Sequence, residues 1–273
     1  MTKLIYLADS YKHDYKAKVV ALRKHGKQFE VILDETIFYP EGGGQPSDKG
    51  LIKGKHGEFI VTHVRMKDDD VIHEGKLRGS LAKGEQVELT IDWSLRYEHM
   101  RRHSAGHLVH EVIRELISGL IPVKGEHGKH AYIEYEGIIN PKLAETIEKQ
   151  VNMLVAADEE LRTTLVTLDE LRKRSPWIPA HLPKNKPLRI LTVGDFPPIP
   201  DGGTQVKSSS EVGEIKISEI VKLGTHVRVY YTILHSPQEE YPQKTEKEST
   251  QTIASLTLAQ FQSLILMQQQ EFM

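Results

Sequence analysis

The sequence predicts an α+β protein in which a small N-terminal antiparallel β-barrel precedes a domain with helices packed on a mostly antiparallel sheet. Three observations predict it. Residues 3 to 92 carry short β-branched and apolar runs separated by turn clusters, the texture of a small barrel or sandwich. After Asp92 the apolar spacing becomes helical. Strand-like pieces then lie between and beyond two helices, the pattern of an α+β layer.

In chain order, the expected strands of the first domain are KLIYL, AKVVAL, FEVIL, EFIVTHV and QVELTID, with turns at HGK, EGGGQPSDKG and KGKHG. The stretch WSLRYEHMRRHSAGHLVHEVIRELISGL reads as a helix. It sets Leu95, His99, His103, His107 and Leu108 near one stripe and ends before Gly119 and Pro122. Asn140 as N-cap and Pro141 at the first helical position announce a second helix through LAETIEKQVNMLVAADEEL. The remaining strands are AYIEYE, TTLVT, LRILTV, EIKISEIVKL and HVRVYYTIL. Residues 236–249 read as a polar linker, and LTLAQFQSLILMQQQEFM as an amphipathic helix. The expected domains are therefore 1–92, 93–235 and a 236–273 tail, with no internal repeat.

At 273 residues the chain is long enough for two real cores. Its 36 Lys plus Arg against 38 Asp plus Glu give a net charge of -2, so any nucleic acid must be met by a local patch. Arg101-Arg102, Lys124 to Lys129, Arg172 to Arg174 and Lys184 to Lys186 are candidates, each also readable as solvated surface. The absence of cysteine excludes disulfides, thiolate catalysis and sulfur-ligated zinc. No apolar run reaches membrane-span length and MTKLIYLADSYKHD lacks a signal-peptide core, so a soluble, cytoplasmic protein without a membrane partner is expected.

The chemistry begins with histidine. With 14 histidines in the chain, chance gives roughly 0.7 pairs at the i, i+4 spacing that places two imidazoles on one helical face for a metal. Here His99, His103 and His107 form two such pairs sharing a member. No Glu follows His103 and Arg114 stands where a second His would be needed after His110, which disfavours a peptidase. Further ligands must come from elsewhere, and the loop IPDGGTQV at 199–206 is the best supplier. Asp201 offers a carboxylate and Gln205 a weaker neutral oxygen, while Gly202 and Gly203 permit close approach. By spacing alone, an ordinary turn stabilised by Asp201 is the better account of this loop.

Three segments together, LDETIFYPEGGGQPSDKG at 33–50, HMRRHSAGHLVH at 99–110 and PDGGTQVKSSSEVGEIKI at 200–217, resemble the freestanding alanyl-tRNA editing proteins. These are similar to the editing domain of alanyl-tRNA synthetase. The resemblance covers roughly residues 1 to 235 and makes the second domain an editing-type domain. It implies a zinc-dependent, ATP-independent hydrolase serving translation fidelity. Such an enzyme removes serine, or glycine, from tRNA(Ala) by attack of water on the aminoacyl ester. It implies His103 and His107 as ligands and catalytic residues, with His99 outside the pair, and Thr36 as a catalytic hydroxyl facing the seryl side chain. Gly43, Gly44 and Gln45 would shape the pocket, and Arg101, Arg102 and Lys207 would meet the acceptor end of tRNA rather than DNA.

The family usually reads CGGTH where this chain reads DGGTQ, so Asp201 and Gln205 stand at the third and fourth ligand positions. Carboxylate for thiolate keeps the charge, whereas Gln for His costs a strong donor and leaves the metal's identity open. A binding module that has lost catalysis and a metal-dependent esterase of small aminoacyl compounds stay open as alternatives.

Overall fold

The computed structural model of the protein describes residues 1–26, 28–179, 182 and 187–234. The expected linker and terminal helix, and Lys184 to Lys186, lie outside the described residues. The chain divides into two compact units. The first comprises residues 1–103, 126–128 and 202–205, and the second holds the rest.

In the first unit the strands are β1 (Lys3–Leu4), β2 (Asp14–His25), β3 (Gln28–Leu33), β4 (Glu35–Thr36), β5 (Gly50–Lys53), β6 (His56–Lys67), β7 (Asp70–Ser80) and β8 (Gln86–Ile91). β2, β3, β7, β6, β5 and β8 close in that order into an antiparallel barrel, while β1 and β4 pair in parallel beside it. Alternation drives the closure: along β8 exposed and buried residues alternate without exception, so Val87, Leu89 and Ile91 face the interior. Val31, Ile52, Phe59 and Val64, all fully buried, complete that core.

Three expectations need correction here. KLIYL is a strand only at its first two residues, because a 3₁₀ turn takes Ile5–Leu7. EGGGQPSDKG is not all turn, since Gly50 opens β5. β7 was not expected at all: its Gly75 and Gly79 serve a close strand crossing. A Cβ on Gly75 would lie 1.9 Å from the Ile60 carbonyl oxygen, and Gly79 has φ +77°.

The helix α1 (Trp93–Leu116) starts where Asp92 accepts a hydrogen bond from the Leu95 amide at 3.1 Å, and it runs from the first unit into the second. Near its start, fully buried Arg96 donates to the Asp48 carboxylate and to the carbonyls of Ser10 and Ile37. The helix is thus fastened to the first unit by a buried ion pair with its donors satisfied.

The second unit contains β9 (Ile121–Glu126), β10 (Tyr132–Glu136), α2 (Ala144–Ala156), β11 (Leu161–Val166), α3 (Leu168–Arg174), β12 (Leu188–Val193), β13 (Ile199–Pro200), β14 (Ile215–Leu223) and β15 (His226–Ile233). The strands form a sheet of order β14-β15-β10-β9 and another of order β11-β12-β13. Asn152 of α2 ties the helix to β14 by accepting from the Ile215 amide at 2.9 Å and donating to its carbonyl at 2.7 Å.

Asn140 caps as expected, accepting from the Lys142 amide, but the first turn is 3₁₀ and α2 stops at Ala156, five residues short of the expected end. Asp158, at φ 56°, has left the helical region. β9, which includes Pro122, and α3 were both unforeseen, although Thr167 and Glu170 form a capping box readable in the sequence. Among the described residues no helix is long and apolar enough to cross a membrane.

Candidate metal centre

In the first unit the site is built around His103. Gly42 and Gln45 pair their backbones across Gly43 and Gly44, whose φ values of 55° and 77° suit a tight turn with two left-handed central residues. This turn directs the fully buried Gln45 side chain inward. Gln45 Oε1 accepts from the Thr204 amide at 3.1 Å, and Nε2 donates to Thr204 Oγ1 at 2.8 Å. Because a backbone N–H must meet an acceptor, the amide's orientation is fixed.

The same Oε1 lies 2.7 Å from His103 Nδ1, so Nδ1 carries the proton and the ring's lone pair is on Nε2, the atom a metal would use. His127 stacks on the His103 ring at 4.2 Å and 17°, and its backbone amide is held by the Gly44 carbonyl. Gly203 backs the ring: a Cβ there would fall 2.1 Å from Cε1 and 2.3 Å from Nδ1, so no side chain is tolerated.

In the second unit, Asp201 follows β13, whose register on β12 (Ile190 opposite Pro200) brings Arg189 opposite Asp201. The Asp201 amide donates to the Arg189 carbonyl at 3.1 Å. Arg189 Nη1 donates in turn to the Asp201 carbonyl at 3.2 Å and to Oδ2 at 3.0 Å. Asp201 Oδ1 lies 3.6 Å from His107 Nε2. That is too long for a hydrogen bond. It matches the spacing of roughly 3.4 Å between two ligand atoms held ~2.0–2.1 Å from one tetrahedral ion.

His103 and His107 share a face of the continuous helix α1 one turn apart, and within the second unit Asp201 faces His107. Two imidazoles and a carboxylate, without sulfur, fit a borderline divalent ion such as zinc.

The other residues singled out in the sequence are placed as follows. Gln205 is buried beside the clamp residue Thr204. His99 is buried, its Nδ1 has no hydrogen-bond partner among the described residues, and burial lowers its pKa. Thr36 is fully buried; its Oγ1 lies 2.8 Å from His73 Nε2 and accepts from the Phe38 amide at 3.1 Å. Its hydroxyl is therefore engaged in the barrel and not in the His103 clamp. Arg101 is buried, which lowers its pKa, and Arg102 is held by Glu98 and the Gly128 carbonyl. Gly43 and Lys207 are exposed.

Sequence reasoning gave Gln45 a role in shape only, and missed its bond to His103. It missed His127 and Arg189 altogether, because nothing in the EHGKH or PLRIL segments marks them. The buried neighbours of the histidines were equally unforeseen. His110 has a pKa depressed to about 3, chiefly by burial, and Glu111 is raised by burial despite its pairing with Arg114.

Residues 8–95 match the family described as tRNA synthetases class II (A). The chain is 37% identical over 239 residues to the alanyl-tRNA editing protein AlaX-L of Pyrococcus horikoshii, covering 85% of this chain and 58% of that protein. It is 33% identical to AlaX-M of Saccharolobus solfataricus, covering 85% of this chain and 99% of the relative. It is also 30% identical to the alanine-tRNA ligase of Pseudoalteromonas translucida, over 77% of this chain but only 24% of the ligase. The chain thus spans little more than half of AlaX-L and a quarter of the ligase, yet matches AlaX-M from end to end. On that likeness, which covers 85% of this chain and 99% of AlaX-M, the chain belongs to the family of alanyl-tRNA editing proteins.

Proposed function

We propose that the protein is a metal-dependent deacylase that removes wrongly attached serine from tRNA(Ala). The observation that carries the reading is the helical pair His103 and His107 with Asp201 Oδ1 3.6 Å from His107 Nε2, in a chain that covers 99% of AlaX-M. In this reading His103 Nε2, His107 Nε2 and Asp201 Oδ1 hold a divalent ion, with Gln205 as a neutral fourth group. Bound there, the ion would supply Lewis acidity to the ester carbonyl.

The protein's own residues do the rest. Gln45 keeps His103 in the required tautomer, and His127 and Gly203 keep its ring from turning. Thr36 is assigned to reading the seryl hydroxyl. The Val31 carbonyl 3.0 Å from His73 Nδ1 requires a proton there, so His73 Nε2 takes the Thr36 proton. Thr36 can then only accept from a substrate, which favours an amino acid with a hydroxyl over alanine. Since Thr36 is buried, that contact requires the wall over it to open. Exposed Lys207 meets a phosphate of the acceptor end, and Arg102 exchanges Glu98 for another.

One observation favours a second reading, a tRNA-binding module without catalysis: the carboxylate that a metal would use already faces a buried cation, Arg189. The two are separated by hydrolysis of seryl-tRNA(Ala) by the purified protein, with and without a chelator and against alanyl-tRNA(Ala). The expected result is chelator-sensitive loss of serine alone, and its reduction by at least ~100-fold in His103→Ala. Tight tRNA binding with no deacylation, even with zinc, cobalt or manganese added, would establish the binding module instead.

A further inference from the structure

Resting on the metal reading above, we propose that Arg189 is a positioning residue that makes Asp201 a single-oxygen donor. The resulting set of two imidazoles and one carboxylate oxygen takes Mn²⁺ and Co²⁺ as well as Zn²⁺. Four contacts carry this. The backbone of Asp201 is pinned to Arg189 at both its amide and its carbonyl, and Oδ2 accepts from Nη1 at 3.0 Å. With three atoms of one residue held by the same partner, the carboxylate cannot rotate about its side chain. Oδ1 is thereby left on the His107 side, 3.6 Å from Nε2.

Both side chains are buried, at 7% and 4% exposure, so water does not compete for Oδ2. A carboxylate can bind a divalent ion through one oxygen or two. A guanidinium on Oδ2 excludes the second mode. A plain structural ion pair would place no demand on Oδ1, whereas here it stands at ligand spacing from an imidazole nitrogen. Carboxylate and imidazole together suit manganese, cobalt and zinc, while the soft ions that thiolates select lose their preferred donor.

The test uses the full chain. Co²⁺ is titrated by visible absorption, and Co²⁺, Mn²⁺ and Zn²⁺ affinities are measured by competition with a chromophoric chelator. Wild type, Arg189→Met, Arg189→Lys and Asp201→Ala are compared. Wild type is expected to bind one ion per chain and Asp201→Ala to lose it. Arg189→Met should bind ~10–100-fold more weakly. Its cobalt band should also weaken as the freed carboxylate adds its second oxygen, and Arg189→Lys should restore both affinity and spectrum.

Wild-type affinity and spectrum in Arg189→Met would overturn the assignment of Arg189 while leaving the metal site standing. No binding of any of the three ions by wild type would overturn the metal reading and this inference with it.

Should Arg189→Met not fold by circular dichroism, Asp201→Asn decides. Arg189 would select the amide oxygen and turn the NH₂ group, which is no ligand, toward the ion. Asp201→Asn should then bind no better than Asp201→Ala, and clear retention of binding in Asp201→Asn would overturn the inference.

Discussion

Two buried histidines of the first unit, His73 in the barrel wall and His103 on α1, are held by the same device and put to different ends. Each has an acceptor at Nδ1, the Val31 carbonyl at 3.0 Å for His73 and Gln45 Oε1 at 2.7 Å for His103, so each keeps its proton on Nδ1 and its lone pair on Nε2. In the barrel that lone pair is consumed by Thr36, whose hydroxyl stands 2.8 Å away. On α1 it belongs to a ring flanked by a stacked imidazole and a glycine, one helical turn from His107. An identical tautomer thus meets a hydroxyl in the barrel, and on α1 it presents the nitrogen that the proposed metal site would use.

The comparison can be broken most severely at Gly203. Gly203→Ala drives a methyl group into the His103 ring, an overlap that costs about 1–3 kcal/mol and is expected to lower metal affinity by up to ~100-fold. Equilibrium competition with a chelator measures this. The folded first unit carries the same overlap without metal, so its denaturation midpoint should fall as well.

An effect of at most similar size follows from Gln45→Leu, which removes the acceptor for both the His103 imidazole and the Thr204 amide. Loss of such an outer hydrogen bond is expected to weaken metal binding ~10–100-fold. The His103 ¹⁵N resonances should show the second tautomer appearing.

The mildest test sharpens the barrel side. Burial depresses the His73 pKa to about 4 from 6.5, so between those values the unfolded chain takes a proton that the folded protein refuses. Its stabilising contribution is present above pH 6.5 and is lost as the pH falls toward 4, by up to ~3 kcal/mol. His110, depressed to about 3 by burial, adds to the loss with the same sign. Urea unfolding at pH 7 and pH 4.5 should show a lower midpoint in acid.

Much of this was legible in the sequence, for reasons that name what was not. Alternation announced β8, and helical spacing announced α1 and the face shared by His103 and His107, because both signals are local. The loop 199–206 stood out by its Asp, its Gln and its paired glycines. β7 was hidden because its glycines serve a neighbouring strand's backbone rather than a turn. The clamp was hidden because its members are far apart in the chain, Gln45 and His103 by 58 residues and Gln45 and Thr204 by 159. Arg189 meets Asp201 only through the register of β12 on β13, and register across a sheet is a tertiary fact.

Asp201 in the donor group, in a chain with no cysteine, has a consequence outside binding and folding. Peroxide, disulfide exchange and nitrosating agents attack thiolates, and this centre offers them none. In the metal reading, its donor set is therefore indifferent to the thiol redox state of its surroundings. Oxidation that silences a sulfur-ligated centre by consuming its thiolate finds no such ligand among these donors.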